Sequence, residues 1–372
     1  MRIIFAGGGT AGHVNPAIAA AQYIRGQEDS QVWLSGGKGN IEERLAGKAG
    51  LDIFTFPLHG LSRGRSLKSL VGNARALAQT AAALQKSKAV LRKIRPDIVV
   101  GTGGYASFPM VRAAVDVGLP TALLEVNAAP GMVTRRLAAK ADCVMLAYAE
   151  TADLLPAARR TVHTGTPVRA EILGARDKMF APIFQNNLPT VTCFWGSVGA
   201  QYMNEKIAVL LPRIAGERRF NLLYAAGEKH MAEVRDITAG LGFDPACADN
   251  IDLRAYIDEM DRALALSDLV ICRAGGTLME LCAVGRASLI VPSPWVAENH
   301  QEKNARALEQ AGAARVLTEH EADPDTLYAA ILDLLSNRVG LQAMGRAALR
   351  RAQPQALHTI YRTLKELVAA SS

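Results

Sequence analysis

The sequence predicts an α/β protein of two doubly wound domains, in each of which helices cover both faces of a parallel sheet. Short apolar runs alternate with segments of helical period from one end of the chain to the other, as in successive βαβ units. The 372 residues suffice for two or three domains of about 100–200 residues. Hydrophobic residues make up 49% and charged residues 21% of the chain, which is typical of folded globular proteins.

Two series of apolar runs give the predicted strands. In a first domain, residues 1–165, we expect strands at 2–6, 31–35, 52–56, 97–100, 121–126 and 142–147. In a second, residues 166–352, we expect them at 190–195, 221–225, 251–255, 268–272, 288–291 and 315–317. Glycine and proline indicate a linker near 165–169. A helix predicted within 353–372 could pack back on the first domain.

Charge and cysteine content narrow the function classes. The net charge of +7 favours anionic partners such as phosphates, nucleic acid or an acidic membrane surface. The five cysteines are scattered and form no CxxC pair, which argues against a disulfide framework or structural zinc and favours a reducing cytosol. The N-terminal apolar run is too short for a signal peptide, and no run approaches the ~18 residues of a membrane span.

A glycine-rich loop, residues 7–13, follows the first strand. Glycines let backbone amides approach a ligand, and a helix N-terminus behind them favours an anion, so we expect a phosphate or sugar cradle. We expect Asn15 to cap this helix and Pro16 to open it. The loop also matches GxGxxG, but the acid that would bind the ribose of NAD is missing at the end of the second strand. His13 is a candidate base, or alternatively a helix cap or a partner of a backbone carbonyl.

Three loops of the second domain could bind a sugar nucleotide. Residues 195–200 and 272–281 each join a strand to a helix, where amides, Ser197 and Thr277 can face a diphosphate. Glu280, one turn into its helix, can accept hydrogen bonds from a ribose; alternatively it is only a favourable first-turn acid. In residues 292–305, Asn299, His300 and Gln301 offer groups for sugar hydroxyls, unless they form a solvated loop and cap.

Together with 101–109, 125–131 and 165–169, these segments occur in the order found in one family. The chain resembles the MurG family of GT-B glycosyltransferases, which move N-acetylglucosamine (GlcNAc) from UDP-GlcNAc onto lipid I to make lipid II in peptidoglycan synthesis. The resemblance covers nearly the whole chain. It implies two Rossmann-like doubly wound domains with an interdomain cleft, an inverting transfer to the C4 hydroxyl of the N-acetylmuramyl sugar, and no cofactor.

The resemblance also implies roles for residues of the second domain, which would hold the donor. Ser197 and Arg169 would contact the UDP phosphates, the backbone of Ile257 the uracil and Glu280 the ribose. The remaining donor-binding residues of this domain would be Ala274, Gly275, Gly276, Thr277, Leu278, Met279 and Gln301.

The first domain would hold the acceptor. Asn127 would meet the GlcNAc together with Gln301, while Thr10, Ala11 and Gly12 would close over the donor from this side. His13 is the residue we expect to act as the base or to orient the acceptor.

The chain departs from the family pattern at four positions. Trp195 and Ala11 stand where the family usually has glycine, and Val198 and Val126 stand where it has glutamine. A divergent member of the family that uses a different acceptor is therefore an alternative. Alternative functions are another GT-B enzyme acting on UDP-sugars, such as a glycolipid synthase or an epimerase, and a noncatalytic protein that binds a UDP-sugar or a lipid surface.

Residues 61–96 contain nine basic residues and no acid. Apolar residues recur there at helical spacing, which is typical of a basic amphipathic helix on an anionic membrane. We expect a peripheral protein at the cytoplasmic face of the cell membrane, with a sheet-packing helix as the alternative. Nucleic acid is disfavoured because no aromatic residue interleaves with the basic ones. The expected membrane-contacting residues are Arg63, Arg65, Lys68, Arg75, Lys86, Lys88, Arg92 and Lys93.

The chain contains one DxD string, residues 323–325. We interpret it as a helix cap far in sequence from the loops above, and we expect no essential metal.

Overall fold

The computed structural model describes residues 1–27, 29–60, 67–196, 200–296 and 299–371. They form two compact units, Met1–Val168 with Gln353–Ser372 and Arg169–Ala352. Each unit is built around its own parallel sheet.

The sheet of the first unit has seven strands within the described residues. Their bounds are β1 (Arg2–Gly7), β2 (Gln31–Gly37), β3 (Ile53–Phe56), β4 (Ile98–Gly103), β5 (Thr121–Glu125), β6 (Cys143–Leu146) and β7 (Thr161–His163). Their spatial order is β3-β2-β1-β4-β5-β6-β7. The order reverses between β1 and β4, and in such sheets ligands bind outside the carboxyl ends of the strands at this switch point.

Helices cover both faces of this sheet. Their bounds are α1 (Ala11–Arg25), α2 (Ile41–Lys48), α3 (Leu67–Ile94), α4 (Phe108–Asp116), α5 (Met132–Leu137) and α14 (Ala356–Ala369). Ile3, Ile4 and Phe5 of β1 are each 0% exposed, as expected for a strand between two helical layers. Ile360 and Leu364 of α14 pack in the same core as Ile3 and Phe5.

The sheet of the second unit has six described strands. Their bounds are β8 (Thr190–Phe194), β9 (Asn221–Ala225), β10 (Ile251–Arg254), β11 (Leu269–Cys272), β12 (Ser288–Ile290) and β13 (Arg315–Val316). The order is β10-β9-β8-β11-β12-β13, which places the switch point between β8 and β11. The helices are α6 (Ala170–Leu173), α7 (Gln201–Glu217), α8 (Met231–Gly240), α9 (Met260–Leu266), α10 (Thr277–Val284), α11 (His300–Gln310), α12 (Pro324–Ser336) and α13 (Arg338–Arg351).

The predicted start of α1 is wrong. The helix begins at Ala11 with Thr10 as an extended N-cap, and Pro16 lies inside it. The backbone N–H groups of His13 and Val14 bond to the Thr10 carbonyl, so the first turn has already formed before the proline. Because Pro16 lacks an N–H, it cannot donate the usual hydrogen bond to the carbonyl four residues earlier, and the helix continues without that bond.

Strand β7 was not predicted. It has only three residues, Thr161–His163, and none of them is buried. A short edge strand of this kind lacks the apolar run by which the other strands are recognised.

Candidate functional site

The glycine loop after β1 is held by a buried acid, Glu42 of α2. The Glu42 carboxylate is 1% exposed, and its Oε1 accepts hydrogen bonds from the backbone N–H of Gly9 at 2.9 Å and of Gly37 at 3.3 Å. A Cβ at Gly8 would lie 1.8 Å from the same oxygen. Glycine is therefore required at position 8 so that Glu42 can hold the loop.

His13 lies in the first turn of α1 and is fixed against the end of β4. Its Nδ1 is 3.0 Å from the carbonyl oxygen of Thr102, and the Thr102 hydroxyl donates to the His13 carbonyl at 2.8 Å. A carbonyl only accepts hydrogen bonds, so Nδ1 carries the hydrogen and the basic nitrogen of the neutral ring is Nε2. A Cβ at Gly103, where φ is +99°, would lie 2.6 Å from Nδ1. The two glycines at 103 and 104 thus make room for the imidazole.

Thr10, Ala11 and Gly12 form the start of α1 beside His13. The Thr10 side chain is exposed and makes no capping hydrogen bond to the helix. The structure brings these residues to the switch point between β1 and β4, the place where the fold favours a ligand.

Asn127 follows β5 and is oriented by Glu125, which the sequence analysis did not single out. The Glu125 carboxylate is 3% exposed, and its Oε1 accepts from both the backbone N–H and the side-chain amide of Asn127 at 3.0 Å. Its Oε2 accepts from the Gly131 N–H at 2.9 Å and the Thr134 hydroxyl at 2.6 Å. An acid that ends an otherwise apolar strand was the signal for such a buried carboxylate.

In the second unit, Arg169 and Glu280 form an ion pair at the start of α10. Arg169 Nε donates to Glu280 Oε1 at 2.9 Å, and its Nη1 lies 3.6 Å from Glu171 Oε1. Burial raises the pKa of Glu280 above its ordinary value, although the Arg169 charge acts in the opposite direction. Two residues expected at the phosphates and at the ribose are therefore direct neighbours.

The loop before α10 presents backbone amides. Gly275 and Gly276 are exposed, and among the residues that the structure describes their N–H groups donate to no protein acceptor. The Ala274 carbonyl, by contrast, accepts from the buried Asn304 side chain at 3.2 Å. Amides at the start of a helix attract an anion, as the helix dipole does.

Leu278 and Met279 are engaged within the unit. Both side chains are buried. The Leu278 N–H bonds to the Gly275 carbonyl and the Met279 N–H to the Gly276 carbonyl, at 3.2 and 3.3 Å. These two residues shape the turn, and Thr277 at the first helical position remains partly exposed.

Two other residues expected at the donor are Ile257, which follows β10, and Gln301 of α11. Ile257 is buried and follows the half-exposed Tyr256. Gln301, in the first turn of α11, accepts a hydrogen bond from the Ser293 N–H at 2.8 Å through its Oε1. This contact fixes the amide plane and identifies the Gln301 NH₂ as the group able to donate to a sugar.

Trp195 fills the position where the family usually has glycine. Its ring is 4% exposed, and the guanidinium of Arg273 lies 5.5 Å from the ring centroid. Arg273 also pairs with the buried Glu319. The residues after it that complete the predicted phosphate loop, Ser197, Val198 and Gly199, lie outside the described residues.

Helix α3 exposes three large apolar side chains. Leu70, Val71 and Leu77 are 58%, 71% and 61% exposed, whereas Ala83 and Leu91 pack in the core of the unit. Apolar residues at helical spacing predict an apolar face for this segment, but Leu70, Val71 and Leu77 do not pack in the core. None of the helices in the described part of the chain is long and apolar enough to cross a membrane.

The basic residues of this segment differ in their surroundings. Lys88 pairs with Asp116 at 3.0 Å, so its charge is matched within the unit. Burial raises the pKa of Asp116, but hydrogen bonds from Lys88 and Arg112 hold it below its ordinary value. Arg63, Arg65 and the side chain of Lys68 lie outside the part that the structure describes. The remaining residues expected at the membrane are exposed, and they are Arg75, Lys86, Arg92 and Lys93.

The DxD string caps α12, as predicted. Asp323 accepts from the Thr326 N–H at 3.0 Å. Within the described ranges, no group of three His, Cys, Asp or Glu residues is arranged to hold a metal ion.

Family models match both units. Residues 3–146 match the glycosyltransferase family 28 N-terminal domain, and residues 190–360 match the glycosyltransferase family 28 C-terminal domain. The crystal structure of Acinetobacter baumannii MurG superimposes with a TM-score of 0.75 at 26% identity, covering 98% of this chain and 99% of that one.

A sequence relative decides the family. The UDP-N-acetylglucosamine–N-acetylmuramyl-(pentapeptide) pyrophosphoryl-undecaprenol N-acetylglucosamine transferase of Acetivibrio thermocellus is 36% identical over 375 residues, 99% of this chain and 98% of the relative. The chain belongs to the MurG family. This MurG-family chain is a glycosyltransferase with two Rossmann-like α/β units, which confirms both the resemblance and the fold class predicted from the sequence.

Proteins that share little sequence with this chain have the same fold. The UDP-GlcNAc 2-epimerase of Neisseria meningitidis, whose structure holds UDP-GlcNAc, superimposes on this MurG-family enzyme with a TM-score of 0.65. Its sequence identity is 13%, over 98% of this chain and all of that one. The epimerase therefore shares the architecture and carries no argument about the reaction.

Proposed function

We propose that this MurG-family enzyme transfers GlcNAc from UDP-GlcNAc to the C4 hydroxyl of the N-acetylmuramyl sugar of lipid I, forming lipid II. The observation that carries the proposal is the full-length identity to a transferase named for this reaction, which spans both units. The positions and contacts of the site residues support the same chemistry.

The donor nucleotide binds to the second unit in this proposal. The exposed amides of Gly275 and Gly276 and the start of α10 receive the diphosphate. Arg169 turns part of its guanidinium to a phosphate while Glu280 accepts from the ribose hydroxyls. Ser197 adds a hydroxyl to the phosphates, the Ile257 backbone contacts the uracil, and the Gln301 NH₂ reaches the GlcNAc.

The acceptor binds to the first unit. His13 Nε2 takes the proton of the attacking hydroxyl, because Nδ1 is already committed to the Thr102 carbonyl. The acceptor oxygen forms the new bond to the anomeric carbon, and the bond from that carbon to the diphosphate oxygen breaks with its electron pair leaving on UDP. Attack opposite to the leaving group inverts the anomeric centre, while Asn127 and the Thr10–Gly12 turn orient the sugars.

The apolar residues exposed on α3 support contact with a membrane, where lipid I resides. The exposure of three large apolar side chains to water is unfavourable. Four exposed basic side chains on the same helix attract anionic headgroups. We place the enzyme as a peripheral protein at the cytoplasmic face of the cell membrane.

The test is transfer of radiolabelled GlcNAc from UDP-GlcNAc to defined lipid I, with UDP-GalNAc as the matched donor. The proposal predicts labelled lipid II, UDP release only when lipid I is present, and much slower transfer from UDP-GalNAc. Isomerisation of UDP-GlcNAc without an acceptor would indicate an epimerase. Binding of UDP-GlcNAc without turnover on any polyprenyl acceptor would indicate a noncatalytic protein, and both results contradict the proposal.

A further inference from the structure

A cavity of about 430 Å³ lies in the second unit, away from the donor loops. It is lined by Asp268, which precedes β11, and by Arg286 and Ala287, which precede β12. In a parallel sheet all strands begin at one edge and end at the other. The cavity therefore lies at the edge opposite to the one where the donor loops follow β8 and β11.

Four arginines line this cavity, which we call the arginine pocket. Arg176 comes from the turn Ala175–Asp177, Arg286 follows α10, and Arg338 and Arg346 belong to α13. None of the four forms an ion pair within the ranges that the structure describes. The carboxylate that lines the pocket, Asp268, accepts from the Thr190 N–H at 2.8 Å. The pocket thus carries more positive than negative charge.

The arginines of α13 are placed by the helix geometry. Arg338, Gln342 and Arg346 follow one another at intervals of four residues and share one face of the helix. At 1.5 Å per residue, Arg338 and Arg346 are about 12 Å apart along the axis. That spacing suits an extended anion better than a single small ion.

The floor of the pocket is tightly packed. A Cβ at Gly345 would lie 2.5 Å from the Gly285 carbonyl oxygen, so α13 approaches the end of α10 closely. Arg286 is held there by hydrogen bonds from Nη1 to the Ser267 carbonyl at 3.1 Å and from Nη2 to the Ala265 carbonyl at 2.6 Å. Burial lowers the pKa of Arg286. The negative charge of Asp268 raises this pKa, and the positive charge of Arg176 lowers it. The charges of Arg176 and Arg286 are therefore close enough to destabilise one another.

We propose that the arginine pocket is a second anion site, which binds a ligand with two or more phosphate groups. Guanidinium groups bind phosphate oxygens with paired, charge-assisted hydrogen bonds, and a multivalent anion relieves the repulsion between the arginines. The phosphates belong either to a free polyphosphate or to a lipid headgroup. The proposal does not depend on the transferase reaction, since its residues lie at the other edge of the sheet.

The test is calorimetric titration of the full-length protein with sodium tripolyphosphate, with one equivalent of UDP present to occupy the donor site. Excess UDP is avoided because its diphosphate would compete for the arginine pocket. We expect one saturable site that weakens as salt is added. The double variant Arg338→Ala/Arg346→Ala should bind at least about tenfold more weakly, since it loses two charge-assisted contacts. Arg286 is left unchanged because its side chain supports the fold.

The matched control is Arg219→Ala/Arg235→Ala. It removes two exposed arginines of the same unit that form no ion pair within the described residues. Its affinity should stay within about twofold of the parent. Equal losses in both double variants, or no saturable binding by the parent protein, would overturn the proposal.

A second arm identifies the source of the phosphate. Vesicles with and without anionic phospholipid are sedimented with the parent protein and both double variants. If the ligand is a headgroup, Arg338→Ala/Arg346→Ala loses vesicle binding that the control retains. If the ligand is free polyphosphate, the two variants bind vesicles equally while the calorimetric difference remains.

Discussion

At the scale of single residues, the proposed chemistry depends on which nitrogen of His13 is basic. The contact between Nδ1 and the Thr102 carbonyl makes Nε2 the basic nitrogen of the neutral ring, and the glycines at 103 and 104 allow that contact. A general base of this kind contributes about 10²–10⁴-fold to a rate.

His13→Ala should therefore lower kcat by about 10²–10⁴-fold. The affinity for UDP should be unchanged, since the residues expected at the nucleotide itself, Arg169, Ile257 and Glu280 among them, belong to the other unit. Steady-state kinetics and UDP titration measure the two effects. His358→Ala, an exposed histidine of the same unit, is the control. A variant of His13 with parental kcat would remove this residue from the mechanism.

Glu125 is a positioning residue for Asn127. Four donors converge on its buried carboxylate, and in Glu125→Gln an NH₂ group would face two of them. We expect a loss of about 1–3 kcal/mol in the free energy of unfolding and a higher KM for a substrate that contacts Asn127.

Denaturant titration and initial rates measure both effects. Glu366→Gln, which alters an exposed ion pair with Arg160, should change stability less and leave KM unaffected. If Glu125→Gln keeps both parental stability and parental KM, the assigned role of Glu125 does not hold.

The raised pKa of Glu280, caused by burial, predicts a pH dependence of donor binding. The carboxylate takes up its proton at a pH above the ordinary value of 4.5, and the neutral group no longer pairs with Arg169. UDP-GlcNAc affinity should therefore fall on acidification with a midpoint above 4.5. A raised pKa means that the folded state binds this proton more tightly than the unfolded chain, so protonation of Glu280 does not itself destabilise the fold.

Calorimetric titration between neutral and mildly acidic pH tests this prediction. Glu280→Gln should bind the donor weakly at neutral pH and show a flatter profile. Glu217→Gln, which alters an exposed ion pair with Arg213 elsewhere in the unit, should keep the parental profile. A parental midpoint at or below the ordinary carboxyl value would contradict the account.

At the scale of elements, α3 divides its side chains between the core and an exposed surface, which we propose contacts lipid. Ala83 and Leu91 pack in the core, while Leu70, Val71 and Leu77 are exposed. The periodicity of the sequence predicts an apolar side for this helix. It does not tell which apolar residues pack, since that depends on how the helix lies against its neighbours.

The triple variant Leu70→Ser/Val71→Ser/Leu77→Ser should bind anionic vesicles at least about tenfold more weakly, because each apolar side chain contributes roughly 1 kcal/mol or more on leaving water. Vesicle sedimentation measures the effect. The matched control, Leu154→Ser/Leu241→Ser/Val339→Ser, removes three large apolar side chains that are exposed elsewhere. Equal binding by the two triple variants would show that α3 is not the contact surface.

At the scale of the whole molecule, the alternation of apolar runs and helical segments predicts two parallel sheets. A strand buried on both faces must be apolar, so its position is recorded locally in the sequence. The two elements that the sequence predicts wrongly or not at all are β7 and the start of α1. Strand β7 is short and not buried. Helix α1 begins at Ala11, before the Asn15-Pro16 pair that predicts its start.

The site could be predicted only in part. The glycine loops show in the sequence because close approach excludes a side chain, as at Gly8 and Gly103. The ion pair between Arg169 and Glu280 joins residues 111 positions apart, and only the fold brings them together. The buried carboxylates Glu42 and Glu125 have no local signature of their partners.

The central claim is that the second unit binds the donor nucleotide at the loop that opens α10. A crystal structure with UDP-GlcNAc tests it most directly. The account predicts the diphosphate at the amides of Gly275 and Gly276 beside Thr277, with the ribose hydroxyls on Glu280. Nucleotide bound elsewhere, with Thr277 and Glu280 remote from it, would contradict the account.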